Sequence, residues 1–139
     1  MKRILLVDDD TAILRLLATS LSDYDLTFAH DGGQAWMLAQ RDGKPDLLVT
    51  DYMMPSLFGD ELIASLRRLW PDLKVLVLTG HCAILEGENQ AWWRTEAHLA
   101  KPFQLREVRE RVAELLASRP SCMPPSLMME FIPQQRTAP

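Results

Sequence analysis

The amino-acid sequence predicts an α/β domain in which parallel strands alternate with helices. Continuous apolar runs, typical of strands buried on both faces, occur at residues 4–7, 47–50 and 75–78. Segments between these runs carry apolar residues at helical spacing. Because a parallel connection needs a crossover, which a helix supplies, the alternation predicts a doubly wound parallel sheet with helices on both faces.

Each predicted element has its own signal. The strands are buried or alternating apolar stretches: residues 4–7, 25–30, 47–50, 75–78 and 98–100. The helices are apolar stripes: residues 13–21, 34–40, 62–69, a less regular segment that contains Trp92 and Trp93, and residues 105–116. Residues 31–33 read as a turn, Gly43-Lys44-Pro45 closes the second helix, and Pro71 breaks the chain after the third. Five strand-helix units result.

The composition supports one folded domain and excludes several function classes. A chain of 139 residues that is 47% hydrophobic can bury a core. A net charge of −4 argues against a surface whose main role is binding nucleic acid or anionic lipid. Cys82 and Cys122 form neither a disulfide framework nor a zinc-site spacing, and no apolar run approaches the roughly 20 residues of a membrane span. We therefore expect a cytoplasmic protein with no direct nucleic-acid or membrane partner.

The chain changes character near residue 120. Five of its nine prolines and none of its glycines lie in residues 120–139. This shift predicts a folded domain over residues 1–119 followed by a Pro-rich tail over 120–139. Residues 126–132 of the tail are apolar enough either to dock on a partner or to pack on their own domain.

Polar residues follow the apolar strands at the points where these strands end. Four strands contribute them: Asp8 and Asp9, Asp51, Thr79, and Lys101. Because the carboxyl ends of parallel strands meet at one edge of a sheet, we expect these side chains to converge. Carboxylates so close together repel one another unless a proton or cation compensates, and Mg²⁺ is the natural candidate. Asp9 and Asp51 could ligate the ion directly, with Asp8 acting through water.

Together these residue types indicate phosphoryl transfer. Asp51 offers a nucleophilic carboxylate, Lys101 a compact positive charge and Thr79 a hydroxyl donor. Taken singly, each has an ordinary explanation: Asp10 is expected to cap the first helix, and an isolated Asp51 would be a turn residue. Their joint placement at successive strand ends favours a site.

Four short motifs stand in order at these strand ends: Val7-Asp8-Asp9-Asp10, Thr50-Asp51-Tyr52-Met53-Met54-Pro55 with Gly59, Leu78-Thr79-Gly80, and Lys101-Pro102-Phe103. In order and spacing they resemble the receiver domain of two-component response regulators, of the single-domain, chemotaxis-regulator-like type, over about residues 2–119. The resemblance implies a flavodoxin-like sheet in strand order 2-1-3-4-5 with five flanking helices. It also implies that Asp51 is the phosphoacceptor, with Mg²⁺ bound by Asp8, Asp9, Asp51 and the backbone carbonyl of Met53.

The resemblance implies further roles and partners. Thr79 and Lys101 would contact the phosphoryl oxygens, and the Lys101-Pro102 bond is expected to be cis. Met53 and His81, each two positions after a site residue, would tune hydrolysis of the phosphorylated form. A sensor histidine kinase, a phosphotransfer protein or a small phosphodonor would supply the phosphoryl group, and a downstream protein target would read the switch.

Departures from the family pattern concern the output. His98 stands where a tyrosine or phenylalanine is common, so it would be the switch residue as a planar, titratable ring. Gly80 replaces a frequent alanine and would loosen its loop, and residues 95–97 lack the usual glycine. Trp92 and Trp93 are helix neighbours that cannot both face the core. We expect one to be exposed on the family's partner surface, or else to be an ordinary half-buried tryptophan.

Several functions fit these residues. A phosphorylation-controlled switch catalyses only its own phosphorylation and dephosphorylation. The chain could also be the receiver portion of a longer hybrid kinase or transcriptional regulator, with the tail opening a linker. An aspartyl-phosphate hydrolase shares the carboxylates and Mg²⁺ but would need a general acid where Met53 stands. The intact acidic set disfavours a degenerate receiver that serves only as an interaction module.

Overall fold

The computed structural model describes residues 1–52, 59–80 and 96–117. Its strands are β1 (Arg3–Val7), β2 (Asp25–Ala29), β3 (Leu47–Asp51), β4 (Val75–Thr79) and β5 (Ala97–Ala100). Its helices are α1 (Thr11–Ser20), α2 (Gly32–Asp42), α3 (Gly59–Leu69) and α4 (Leu105–Ala117). The predicted helical segment around Trp92 and Trp93 and the predicted tail lie outside the described residues.

The five strands form one sheet in the order β2-β1-β3-β4-β5, and every neighbouring pair is parallel. The registers align the ends of the strands: Val7 pairs with Thr50, Asp51 with Leu78, and Thr79 with Ala100. This confirms the predicted fold class and strand order. It also gathers the carboxyl ends of β1, β3, β4 and β5 at a single edge.

Alternate residues of the central strands pack on opposite faces of the sheet. In β1, Leu5 and Val7 belong to a core with α2 and α3, while Ile4 and Leu6 belong to a core with α1 and α4. Burial of one such side chain contributes about 1.5–3 kcal/mol. Each of the two cores includes a dozen buried residues from the described part of the chain. The central strands that carry the site are therefore fixed from both sides.

Helix capping explains where α1 and α2 begin. Asp10 caps α1 as predicted, its side chain accepting a hydrogen bond from the backbone N–H of Ala12 at 2.9 Å. Asp31 caps α2 in the same way, accepting from the N–H of Gln34 at 2.7 Å. The predicted turn over residues 31–33 is therefore wrong at its last two positions, because the cap starts the helix at Gly32.

The end of α2 agrees with the sequence prediction, and the edge strand β2 is only partly buried. Gly43 ends α2 at φ +87°, and its N–H donates to the carbonyl of Ala39 at 2.8 Å, as the glycine signal predicts. In β2, Leu26 packs against the core whereas Phe28 is exposed. Across the described ranges, no helix combines the length and apolar character needed to cross a membrane.

Candidate functional site

The structure brings the polar strand-end residues together at the carboxyl edge of the sheet. Asp8 and Asp9 follow β1, Asp51 ends β3, Thr79 ends β4 and Lys101 follows β5. Asp8, Asp9 and Asp51 each offer a carboxylate oxygen, and these oxygens lie within 4.8 Å of one another. Asp9 is exposed, while Asp8 and Asp51 are buried. The predicted convergence of three carboxylates is thus what the fold produces.

Backbone pairing fixes the site residues one step beyond the strands. The N–H of Asp8 donates to the carbonyl of Ala29 at 3.2 Å, which extends the pairing of β1 with β2. The N–H of Lys101 donates to the carbonyl of Thr79 at 2.7 Å, which extends the pairing of β4 with β5. The Lys101-Pro102 peptide bond is cis, as predicted. The backbone positions of Asp8 and Lys101 at this edge therefore follow from the sheet itself.

Lys101 lies between two of the carboxylates. Its Nζ atom is 3.1 Å from Oδ2 of Asp8 and 3.3 Å from Oδ1 of Asp51. Burial lowers the pKa of the Lys101 ammonium, but the two carboxylates outweigh burial and leave that pKa raised above its ordinary value. Lys101 is therefore a fixed positive charge at neutral pH.

Among the described residues, the Lys101 ammonium alone does not balance the carboxylates around it. Burial raises the pKa of Asp51 to about 6, and the nearby charge of Asp8 contributes to this rise. Burial also raises the pKa of Asp8, although the N–H of Asp10, which donates to Oδ1 at 2.9 Å, and Lys101 oppose the shift. The site therefore has excess negative charge, and its oxygen donors are those that a hard divalent cation prefers. This acidic cluster could hold a metal ion.

The buried hydroxyl of Thr79 points to its own sheet rather than to the carboxylates. It donates to the carbonyl of Leu99 at 3.4 Å, at the long end of the hydrogen-bond range. A contact with an anion at Asp51 would require the hydroxyl to leave this carbonyl. Since the existing bond is weak, that exchange costs little.

The structure describes some of the remaining residues that the sequence analysis singled out, and others lie outside the described ranges. His98 is half-buried in β5, and its Nδ1 atom lies 3.0 Å from the carbonyl oxygen of Glu96. No heavy atom of the described residues lies within 4 Å of the position that a Cβ on Gly80 would take. Met53 and His81, like Trp92 and Trp93, lie outside the described residues.

Sequence reasoning missed an ion pair that anchors the start of β5. The guanidinium of Arg67 in α3 binds both carboxylate oxygens of Glu96, at 2.5 and 3.1 Å, and also donates to the carbonyl of Leu73 at 2.9 Å. Both side chains are largely buried. Glu96 lies in residues 95–97, which lack the glycine that is usual in the family. A charged residue at that position was the feature of the sequence that could have indicated this ion pair.

Comparisons with known proteins agree with this geometry. The family model for the response regulator receiver domain matches residues 4–113. The chain is 39% identical over 132 residues to the response regulator MprA of Mycobacterium leprae and to that of Mycobacterium tuberculosis, and these matches cover 93% of the chain. They cover 58% and 57% of the two relatives, so the chain spans little more than half of their length.

Comparison with solved structures also finds receiver domains. A CheY-like response regulator receiver domain protein from Methanospirillum hungatei has a TM-score of 0.72 at 30% identity, with 84% of this chain and 94% of that chain covered. The receiver domain of NtrX from Brucella abortus has a TM-score of 0.73 at 28% identity, with 83% and 98% covered. The chain belongs to the response regulator receiver family and acts in two-component phosphorelay signalling. The receiver domain is accordingly a signalling switch.

Proposed function

We propose that Asp51 is the phosphoacceptor of this receiver. The observation that carries the proposal is its carboxylate, which lies 3.3 Å from the Lys101 ammonium and inside the cluster with Asp8 and Asp9. With a pKa of about 6, the Asp51 carboxyl is mostly ionised at neutral pH and can act as a nucleophile. An oxygen of Asp51 forms a bond to phosphorus, and the bond between phosphorus and the donor's nitrogen or oxygen breaks.

The metal that fits this site is Mg²⁺. Three carboxylates at the ends of two neighbouring strands suit a hard cation that keeps several waters, and the excess negative charge favours binding. When bound, Mg²⁺ neutralises charge on the transferring phosphoryl group. Asp8 and Asp9 would hold the ion from β1, Asp51 from β3, and the backbone carbonyl of Met53 remains the fourth predicted ligand.

Lys101 and Thr79 would respond to the new phosphoryl group. Lys101 already contacts Asp51, so its ammonium needs only a small movement to bind a phosphoryl oxygen. Thr79 would exchange its weak bond to Leu99 for a charge-assisted one. Because both residues flank the β4–β5 pair, their movement would reach His98 on β5 and shift a protein-interaction surface. We infer that Trp92 or Trp93 contributes to that surface, and that Met53 and His81 tune self-dephosphorylation.

The partners we propose follow from the same chemistry. A sensor histidine kinase or a phosphotransfer protein would supply the phosphoryl group, and a downstream protein target would read the altered surface. The receiver could operate as a single domain over residues 1–119 or as one part of a longer regulator. The cytoplasmic location stays a prediction.

Mass measurement after treatment with acetyl phosphate tests the assignment. We expect one phosphoryl increment on the unaltered chain in Mg²⁺, and at least about a hundredfold less after chelation or in Asp51→Asn, because nucleophile and charge neutralisation are both required. Asp25→Asn is the matched control, since this exposed carboxylate lies at the start of β2, away from the site. Undiminished labelling of Asp51→Asn would falsify the proposal.

A further inference from the structure

A surface groove lies between α1 and the edge strand β2. Its volume is about 270 Å³, and it is lined by Thr11, Leu14, Arg15, Ala18, Phe28 and His30. Phe28, an aromatic residue of β2, is 41% exposed. Because covering apolar surface removes it from water, a further apolar segment placed in this groove would be stabilised there.

The groove also has a positive charge that is available for a partner. Arg15 is exposed on α1, and its guanidinium forms no ion pair with a carboxylate of the described residues. Leu14, its neighbour, is buried beneath the groove. The surface therefore matches a segment that is mainly apolar and carries one carboxylate.

Residues 126–132, Ser-Leu-Met-Met-Glu-Phe-Ile, have this composition. They lie outside the described residues and are bounded in the sequence by Pro125 and Pro133. Five of the seven are large and apolar, and two of these are methionines, which adapt to irregular apolar surfaces. Glu130 is the only acidic residue in positions 118–139. The segment thus complements the groove in both hydrophobicity and charge.

Helix α4 packs beside α1 and ends at the amino edge of the sheet, opposite the carboxylate site. Near its start, the Arg109 guanidinium donates to the carbonyl of Ser20, the last residue of α1, at 2.8 Å. Near its end, the carbonyl of Leu116 accepts from Nζ of Lys74, which directly precedes β4, at 3.2 Å. Both helices cover the same core. Helix α4 therefore ends on the face of the sheet that carries the groove.

The number of residues between α4 and the apolar segment is sufficient for the two to meet. Helix α4 ends at Ala117, and the eight residues 118–125 span about 26 Å when extended. The length of α4 is about 20 Å, and the axes of packed helices lie about 8–10 Å apart. Residues 126–132 can therefore reach the groove of their own chain.

We propose that residues 126–132 dock in the groove between α1 and β2 of the same chain. The apolar side chains of the segment cover Leu14 and Phe28, and the Glu130 carboxylate pairs with the Arg15 guanidinium. Burial of the apolar side chains supplies most of the stabilisation, and the ion pair fixes the position of the segment in the groove.

Docking would place the tail beside the carboxylate site. His30 lines the groove and directly follows Ala29, whose carbonyl accepts from the N–H of Asp8 at 3.2 Å. A protein that approaches the carboxylate site from this side must then displace the tail.

Paramagnetic relaxation in the full 139-residue chain tests the docking. A nitroxide is attached at Gln134→Cys, with Cys82→Ser and Cys122→Ser, and amide signals are compared with those of the reduced label. We expect stronger broadening at Phe28 than at Met37 of α2, which packs on the opposite face of the sheet. Equal broadening at the two positions would overturn the proposal.

Charge reversal tests the pairing and excludes a mere effect of the tether. Arg15→Glu or Glu130→Arg alone should reduce the broadening at Phe28 by about twofold or more, because attraction becomes repulsion. The two substitutions together should restore it. Arg106→Glu, at an exposed arginine of α4 outside the groove, is the matched control and should leave the broadening unchanged. An equal loss in this control, or no recovery in the double variant, would count against docking.

Mixed samples identify which chain supplies the segment. Isotope-labelled chains without a nitroxide, mixed with unlabelled chains that carry it, should show no broadening at Phe28. Broadening in the mixture equal to that within one chain would mean that a second copy occupies the groove, and would overturn the proposal. Labelling of Asp51 by acetyl phosphate involves no residue of the groove, so failure of that assignment and failure of docking can be told apart.

Discussion

The two edges of the sheet present opposite excesses of charge. At the carboxyl edge, Asp8, Asp9 and Asp51 form an acidic cluster, and Lys101 contacts two of its members, Asp8 and Asp51. At the amino edge, three lysines share a cavity with two aspartates. Burial raises the carboxyl pKa of Asp51 and lowers the ammonium pKa of Lys74, because in both cases it disfavours the charged form. The carboxyl edge therefore favours binding of a cation, and the amino edge favours the neutral form of the Lys74 amine.

The largest difference between the edges should appear when one lysine is removed from each. Lys101→Met leaves the buried carboxylates of Asp8 and Asp51 without their cation, and we expect a loss of about 2–3 kcal/mol in unfolding free energy in chelator. Lys44→Met removes an exposed ion pair with Asp72 and should cost less than about 0.5 kcal/mol. Urea unfolding measures both.

Mg²⁺ sharpens this comparison further. Because the ion would replace part of the missing positive charge, Mg²⁺ should reduce the stability difference between Lys101→Met and the unaltered chain. Lys44→Met keeps the carboxylate site, so Mg²⁺ should stabilise this variant as much as the unaltered chain. Equal losses in the two variants would mean that Lys101 does not neutralise the carboxyl edge.

A smaller effect of the opposite sign is expected for Asp51→Asn in Mg²⁺-free buffer. The folded-state pKa of Asp51 is raised from 3.8 to about 6, so the folded protein binds this proton more strongly than the unfolded chain does. Stability from this group is therefore present at low pH and falls as pH rises from about 4 to 6. Asp51→Asn avoids that loss and should be more stable at pH 7 by about 1 kcal/mol, after the loss of its contact with Lys101.

The pH dependence provides the check. Thermal unfolding should show the advantage of Asp51→Asn shrinking as pH falls toward 4, and Mg²⁺ should reverse it by stabilising only the unaltered site. Asp25→Asn serves as the control and should show neither behaviour. A pH-independent advantage would indicate an effect on packing and not on charge.

The smallest effect compares a glycine at each edge. A Cβ on Gly80, after β4, or on Gly43, before β3, would have no atom of the described part of the chain within 4 Å, but of these two glycines only Gly43 has a positive φ, at +87°. Alanine at Gly80 should therefore stabilise by about 0.5 kcal/mol, whereas alanine at Gly43 should destabilise by about 1 kcal/mol. Urea midpoints of the two variants measure the difference. If both substitutions stabilised the protein, the positive φ of Gly43 would not determine the cost of a side chain at that position.

The sequence predicted the features of the site that follow from the topology of a parallel sheet. Once Asp8, Asp51 and Lys101 were assigned to ends of parallel strands, their convergence followed, because the sheet determines their relative positions. Local rules also predicted Asp10 as a cap and Gly43 as a helix terminator. The start of α2 was missed because Asp31 can equally begin a turn or a helix.

The unpredicted features depend on contacts between distant residues. Arg67 and Glu96 are 29 positions apart, and neither local pattern nor spacing indicates that they meet. The same holds for Lys74 and Leu116, 42 positions apart. The direction of the Thr79 hydroxyl is a rotamer choice that the strand pattern leaves open. Burial depth, which sets the pKa of Asp51, likewise emerges only from the packed structure.

The extension of the strand pairing by Asp8 and Lys101 has a consequence for local unfolding. Their amides bond to Ala29 and Thr79, so the site cannot open without breaking hydrogen bonds that continue the sheet. Such amides exchange with solvent through the rarest openings of a domain. Hydrogen exchange at Asp8 and Lys101 should therefore be as slow as in the central strands. The geometry for phosphoryl transfer would then persist for as long as the domain itself stays folded.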